Sequence, residues 1–400
     1  MKNIVLWVVQ SASLKVASFR IRCAYVIKQL ELYGVSSLIV ENNDQIIDYF
    51  DCVKAIVFVK NFGENSSLLA LKARENGVPI FLDLCDNIFV KNYPQKYVSH
   101  FSVMSRQCAA LIVPTVSLRS IVLEEDRTLN VLVIPDQLDL NSKNLIDSNF
   151  VINHKIKASH SFLFSWISIL KFYIHKKVHT IIAVFLYALR RFKYILKRIT
   201  TLLSFSRNIN FAIKLIANNK TERKRLVWFG NHGANHGNFG IESLYLIKEE
   251  LEILDSIYSI ELLIISNNFN KANWFASLVG FPVLYKDWSL DEIESDLKSA
   301  AVCLIPNSRD EFSISKSANR LILSLSCGVP VVVTNMQIYE DFSQCILVND
   351  FVVGVSSYLD SKELIATHIK HANFIISDKY SADAISRQWL NVLKLTEVDQ

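Results

Sequence analysis

Two doubly wound α/β halves flanking a basic insert is the architecture that this 400-residue sequence predicts. Three observations carry it. Short runs of Val, Ile, Leu and Phe alternate with amphipathic stretches before residue 140. The same alternation resumes after residue 225. The segment between them has a charge balance unlike the rest of the chain.

In the first half the predicted strands are 4–9, 37–41, 55–60, 79–84, 110–114 and 130–134. They are continuous apolar runs without polar alternation, the pattern of parallel strands covered on both faces. Helical stretches 18–33 and 67–76 fall between them, stopped by Gly34 and Gly77. Alternation of this kind reads as a doubly wound domain over residues 1–140. After residue 225 the predicted strands are 226–229, 260–266, 282–285, 301–306 and 330–334. The helices between them lie near 241–255, 290–299 and 315–327, giving a second such domain over 226–380, with a closing helix in 381–400.

A chain of this length holds two to three domains at about 100–200 residues each. Its composition, 51% hydrophobic and 20% charged, excludes an intrinsically disordered protein. The seven cysteines are scattered and none has CxxC spacing, which argues against a disulfide framework or a zinc ribbon and fits a reducing cytosol. The apolar run Ile4 to Val9 is too short for a secretory leader and reads as a first strand.

The net charge of +5 conceals an asymmetry. Residues 150–225 hold 16 of the 43 Lys and Arg and one acid, Glu222, a net +15, so the remainder carries −10. A basic segment of this kind points to an anionic partner, nucleic acid or a membrane surface. Its apolar runs, 161–170 and 178–189, fall short of the roughly 18–20 residues of a spanning helix. From residue 190, Phe192, Ile195, Leu196, Ile199, Leu202 and Leu203 recur at helical spacing. Arg190, Arg191, Lys193, Lys197 and Arg198 take the other side. Such a helix can lie in a membrane interface; the alternative is that its apolar stripe packs on its own protein. Phe172, Tyr173 and Tyr194 could stack bases, but the long apolar runs would have no role on nucleic acid, and none is expected as a partner.

Four of only ten glycines, Gly230, Gly233, Gly237 and Gly240, follow the strand at 226–229 and precede a helix. A strand–glycine loop–helix unit can cradle an anion, with His232 and His236 as further donors. The spacing is neither a dinucleotide fingerprint nor a P-loop, and a plain turn is the alternative. A second signal is Lys316, Asn319 and Arg320, spaced to share one face at the start of the predicted helix 315–327. Two cations there oppose the helix dipole unless an anion sits with them; a solvated basic edge is the other reading. Asp83 and Asp86 end a predicted parallel strand, where α/β sheets bind ligands. A carboxylate there could act as a base or orient an acceptor hydroxyl, or Asp86 could merely turn the chain.

The order of these pieces, with Tyr285 to Trp288, Leu304 to Ser308 and above all Lys316 to Thr334, resembles the donor-binding half of GT-B glycosyltransferases of the group 1, family 4-like kind. The closing helix with Trp389, and Arg20 and Arg22 after the first strand, are similar to features of polysaccharide-assembly members. The resemblance covers about residues 1–140 and 225–395. It implies two Rossmann-like domains facing a cleft, a nucleotide-sugar donor as substrate, and a glycan or lipid-linked acceptor. It also implies no resident metal or cofactor. The cysteine usage and the basic segment, for their part, lead to the expectation of a cytoplasmic protein peripheral to the inner face of the membrane. Lys316 and Arg320 would hold the diphosphate, Gly230, His232 and Gly233 would line the donor, Trp288 would lie near the base and Asn319 near the phosphates or sugar. Asp83 and Asp86 would be the catalytic carboxylates, and Arg20 and Arg22 would face the acceptor. The family's pair of glutamates eight apart falls here on Ser315 and Leu323; Glu311 and Asn319 have the spacing but not the chemistry. Retention and inversion are both left open. A sugar-nucleotide epimerase of the same architecture is the enzymatic alternative.

Overall fold

The computed structural model describes residues 4–41, 50–91, 93–139, 223–231 and 240–394. Residues 1–153 and 223–400 form one compact unit. Of the predicted basic insert, residues 141–225, the part up to 222, with Arg190, Arg191, Lys193, Lys197 and Arg198, lies outside the described residues, as do His232 and Gly233, whereas Lys224 and Arg225 belong to the strand Lys224–Phe229.

The N-terminal domain is a six-stranded parallel sheet, β1 (Ile4–Val9), β2 (Ser36–Glu41), β3 (Val53–Val59), β4 (Ile80–Asp83), β5 (Ala110–Val113) and β6 (Val131–Val133), in the order β2-β1-β3-β4-β5-β6. Helix α1 (Ala17–Phe19), a π-helical turn (Arg20–Ala24) and α2 (Tyr25–Leu32) continue one another after β1. Gly34 then adopts φ 73° to release the chain into β2, a backbone state that only glycine takes without strain. Helices α3 (Glu64–Glu75), α4 (Gln95–Ser105) and α5 (Val116–Glu125) complete the domain. Thr115 caps α5, its hydroxyl accepting from the Leu118 amide at 3.1 Å.

A second parallel sheet, of β7 (Lys224–Phe229), β8 (Ile260–Ser266), β9 (Val283–Asp287), β10 (Val302–Ile305), β11 (Val331–Val333) and β12 (Leu347–Val348), runs β12-β11-β10-β7-β8-β9. A 3-10 helix over Gly240–Ile247 leads into α6 (Lys248–Tyr258), followed by α7 (Phe269–Ala276), α8 (Ile293–Lys298), α9 (Asn319–Ser326), α10 (Phe351–Asp360) and α11 (Lys362–Ile375). Both sheets bury apolar side chains on both faces, which is why their strands read as unbroken Val/Ile/Leu runs.

The last helix, α12 (Ala382–Leu393), is capped by the Ser381 hydroxyl and returns to the N-terminal domain. Ile385, Trp389, Leu390 and Leu393 join the core under β1, and Trp389 meets Trp7 with ring centroids 5.3 Å apart. Fully burying a large apolar side chain stabilises by about 1.5–3 kcal/mol, so this helix ties the two domains firmly. No described helix is long and apolar enough to cross a membrane.

Candidate active site

The C-terminal ends of the two sheets face each other, and polar side chains from both meet there. Lys60 follows β3, Asp86 follows β4 and Asp136 follows β6; Gly230 follows β7, Trp288 follows β9, and Lys316 and Arg320 follow β10. Lys60, Asp86, Asp136, Gly230 and Trp288 lie within three residues of a strand end, where open α/β sheets hold ligands, while Lys316 is on the loop after β10 and Arg320 in the first turn of the helix Asn319–Ser326.

Asp86 is paired on one oxygen with Lys60 of its own domain and on the other with Lys316 of the C-terminal domain. Burial alone would raise its pKa, but the two ammonium groups outweigh it and hold the carboxyl well below the usual range. Lys316 also stands 4.1 Å over the Phe312 ring. Three further contacts bridge the domains. The Asn87 amide donates to the Glu311 carbonyl at 3.1 Å, the Thr115 hydroxyl to the Ser315 carbonyl at 3.0 Å, and the Asn319 amide to Asp136 at 2.6 Å.

Arg320 donates to Asn307 Oδ1 at 2.6 Å and to the Phe229 carbonyl at 3.4 Å, with its guanidinium 5.9 Å from the Trp228 ring. A Cβ on Gly230 would lie 3.2 Å from Trp228 and 3.6 Å from Arg320. Trp228 is the crowded neighbour, so glycine lets the backbone lie against that ring, with Arg320 in ordinary contact beside it. Trp288 lies beneath Arg20 of the other domain, 5.0 Å from the guanidinium carbon, an attractive cation–π arrangement.

Three expectations need correction. Helix α9 begins at Asn319, not near residue 315, so Lys316 and Arg320 do not share a helical face. The reason is local: the Asp310 carboxylate accepts from the Phe312 and Ser313 amides, both at 3.0 Å, and winds residues 310–315 into a turn. Lys316 therefore reaches across the cleft while Arg320 points down to β7 and β10. Asp83 is 0% exposed and both of its oxygens accept from Arg22 Nε, at 3.1 and 3.2 Å; a carboxylate so placed cannot take a proton from an acceptor. Arg22, at 2% exposure, also donates to the Ile134 carbonyl at 2.6 Å and to Asp136 at 3.1 Å. It anchors carboxylates and does not face an acceptor. Arg20 is similarly occupied, by Asp139 through Nε at 2.9 Å and Nη2 at 2.6 Å. Glu311 is exposed on the 310–315 turn.

Sequence reading missed Asp136 and Lys60. Asp136 accepts from Arg22 on one oxygen and from Asn319 on the other, and lines a cavity of about 240 Å³ between the domains with Thr115, Asn319 and Gln337. Its position just past β6 was the available signal. Among the described residues no group of three or more His, Cys, Asp or Glu could hold a metal ion.

Neither a family model nor a curated protein matches the sequence. Solved structures do. Anabaena Alr3699/HepE in complex with UDP and glucose aligns at 10% identity over 98% of this chain and 99% of that one, with a TM-score of 0.60. A glycosyltransferase from Rickettsia africae aligns at 11% identity over 98% of both chains, TM-score 0.60. The E. coli trehalose-6-phosphate structure bound with UDP-2-fluoro glucose aligns at 10% identity over 98% and 99%, TM-score 0.54. At such identities the likeness is one of fold, and it agrees with the two facing parallel sheets: the chain has the GT-B fold.

Proposed function

We propose that the protein is a glycosyltransferase that moves a sugar from a nucleotide-sugar donor to a glycan or lipid-linked acceptor. The observation that carries this reading is the Asp86 carboxylate seated between Lys60 and Lys316, cations drawn from opposite domains. The facing strand ends thus hold an anion where a donor diphosphate would lie, and Arg320 and Gly230 come from the same C-terminal sheet and its loops. UDP is present in the HepE structures, so UDP-sugars are the first donors to try here.

Sugar transfer develops negative charge on the leaving diphosphate, and fixed cations stabilise it best in a site closed to water. Lys316 and Arg320 supply that charge. Once Lys316 turns to the diphosphate, Asp86 keeps only Lys60. Its affinity for a proton then rises, and it becomes fit to orient or deprotonate the acceptor hydroxyl. Donor binding would in this way prepare the base. Asp136 fixes Asn319, and Arg20 over Trp288 closes the side of the cleft assigned to the base.

The basic segment supports a peripheral location at an anionic inner membrane face. The net +12 charge over residues 150–222 and the short apolar runs suit surface binding, with each Lys or Arg near the lipid contributing about 1 kcal/mol. Anionic vesicles should sediment the protein at low salt and release it as salt rises; protein remaining in the supernatant would remove the membrane from the proposal.

A thermal-unfolding panel of nucleoside diphosphates and UDP-sugars tests the enzymatic reading. A ligand at a hundred times its Kd stabilises by about 2.7 kcal/mol. A panel without one stabilising nucleotide would count against it.

A further inference from the structure

A second cavity, of about 600 Å³, opens on the C-terminal domain beside the interdomain one. Its volume lies within the roughly 300–1,000 Å³ of small-molecule sites. Buried Met336, Tyr339 and Ile346 form an apolar floor. Around it stand Arg309, Asn335, Glu340 and Ser343, all exposed, whose side chains have no hydrogen-bond or ionic partner among the described residues.

The chemistry of this rim selects its ligand. One guanidinium and one carboxylate leave no net charge, so nothing here favours a phosphate or a nucleotide. A neutral polyhydroxyl ligand uses both signs. Its hydroxyls accept from Arg309, Asn335 and Ser343 and donate to Glu340 and Asn335, while the C–H face of a sugar ring covers the apolar floor. The cavity also adjoins the interdomain one, because Gln337 and Glu340 line both. The Ser117 hydroxyl donates to Gln337 Oε1 at 3.3 Å from the opposite domain.

We propose that this cavity is a subsite for a neutral oligosaccharide segment of the acceptor, so that the acceptor is a chain of several sugars threaded from the cleft past Gln337 and Glu340. The assignment to the acceptor rests on the transferase reading; the sugar-binding chemistry of the cavity stands apart from it.

The test is an array of neutral tri- to hexasaccharides probed with the full chain, with UDP calorimetry on the same proteins. Ser343→Trp fills the cavity from its exposed rim, and Arg309→Gln removes the guanidinium without adding bulk; neither residue lines the interdomain cavity. We expect at least one glycan to bind the unaltered protein and to weaken tenfold or more in both variants, with UDP affinity unchanged. Silence of the whole array, or binding that neither variant disturbs, would overturn the subsite. Glycan binding through this cavity in a protein that ignores UDP would keep the subsite and overturn the transferase reading.

Discussion

Asp86 and Lys316 form an ion pair between the two domains, each at the end of its own sheet. Their side chains are 14% and 41% exposed, so the pair is partly screened and can exchange partners. A diphosphate entering the cleft competes with the carboxylate for the same ammonium group. Asp86→Asn should therefore bind UDP severalfold more tightly while its turnover falls about 10²- to 10⁴-fold, the usual worth of a lost general base. Titration calorimetry and single-turnover kinetics read the two effects separately. Parallel losses in both would assign Asp86 to donor binding instead.

The same pair sets an acid limit. Lys316 and Lys60 depress the folded-state pKa of Asp86 against the opposing effect of burial. A depressed carboxylate contributes stability that is present above its unfolded pKa, about 3.9, and lost as pH falls through the folded value. The stability gap between the unaltered protein and Asp86→Asn should stay level from pH 8 to 5 and narrow below about pH 4, as measured by denaturant titration at each pH. A gap that widens on acidification would mean that Asp86 is not held by its lysines.

Arg22 answers two buried carboxylates at once, Asp83 and Asp136. Burial works against its charge, yet the acids prevail and the guanidinium stays protonated. Arg22→Met leaves Asp83 buried without a cation and should cost about 3–5 kcal/mol in urea denaturation, the range for breaking a buried pair. Adding Asp83→Asn should recover part of that loss. Equal stability of Arg22→Met and the parent would contradict the anchoring role.

Much of this was legible in the sequence because burial on both sheet faces writes itself as unbroken apolar runs. Ile4–Val9 and Ile260–Ser266 have the bounds expected of them. The edge strand Leu347–Val348 has only two residues, too few for any periodicity to register. The site was harder to read because its partners are distant in the chain. Nothing local says that Asp83 belongs to Arg22, 61 positions away, or Asp86 to Lys316, 230 positions away. Lys316 and Arg320 looked like one helical face until the Asp310 turn delayed the helix to Asn319.

Donor binding by the cations of the C-terminal domain is tested most directly by titrating UDP into the unaltered protein and into Lys316→Ala. A charge-assisted hydrogen bond contributes about 1.5–3 kcal/mol, so the variant should bind roughly 10- to 150-fold more weakly. Because the lysine is 41% exposed, its thermal unfolding should shift little. No heat of binding in the unaltered protein, or the same affinity in both, would contradict the assignment.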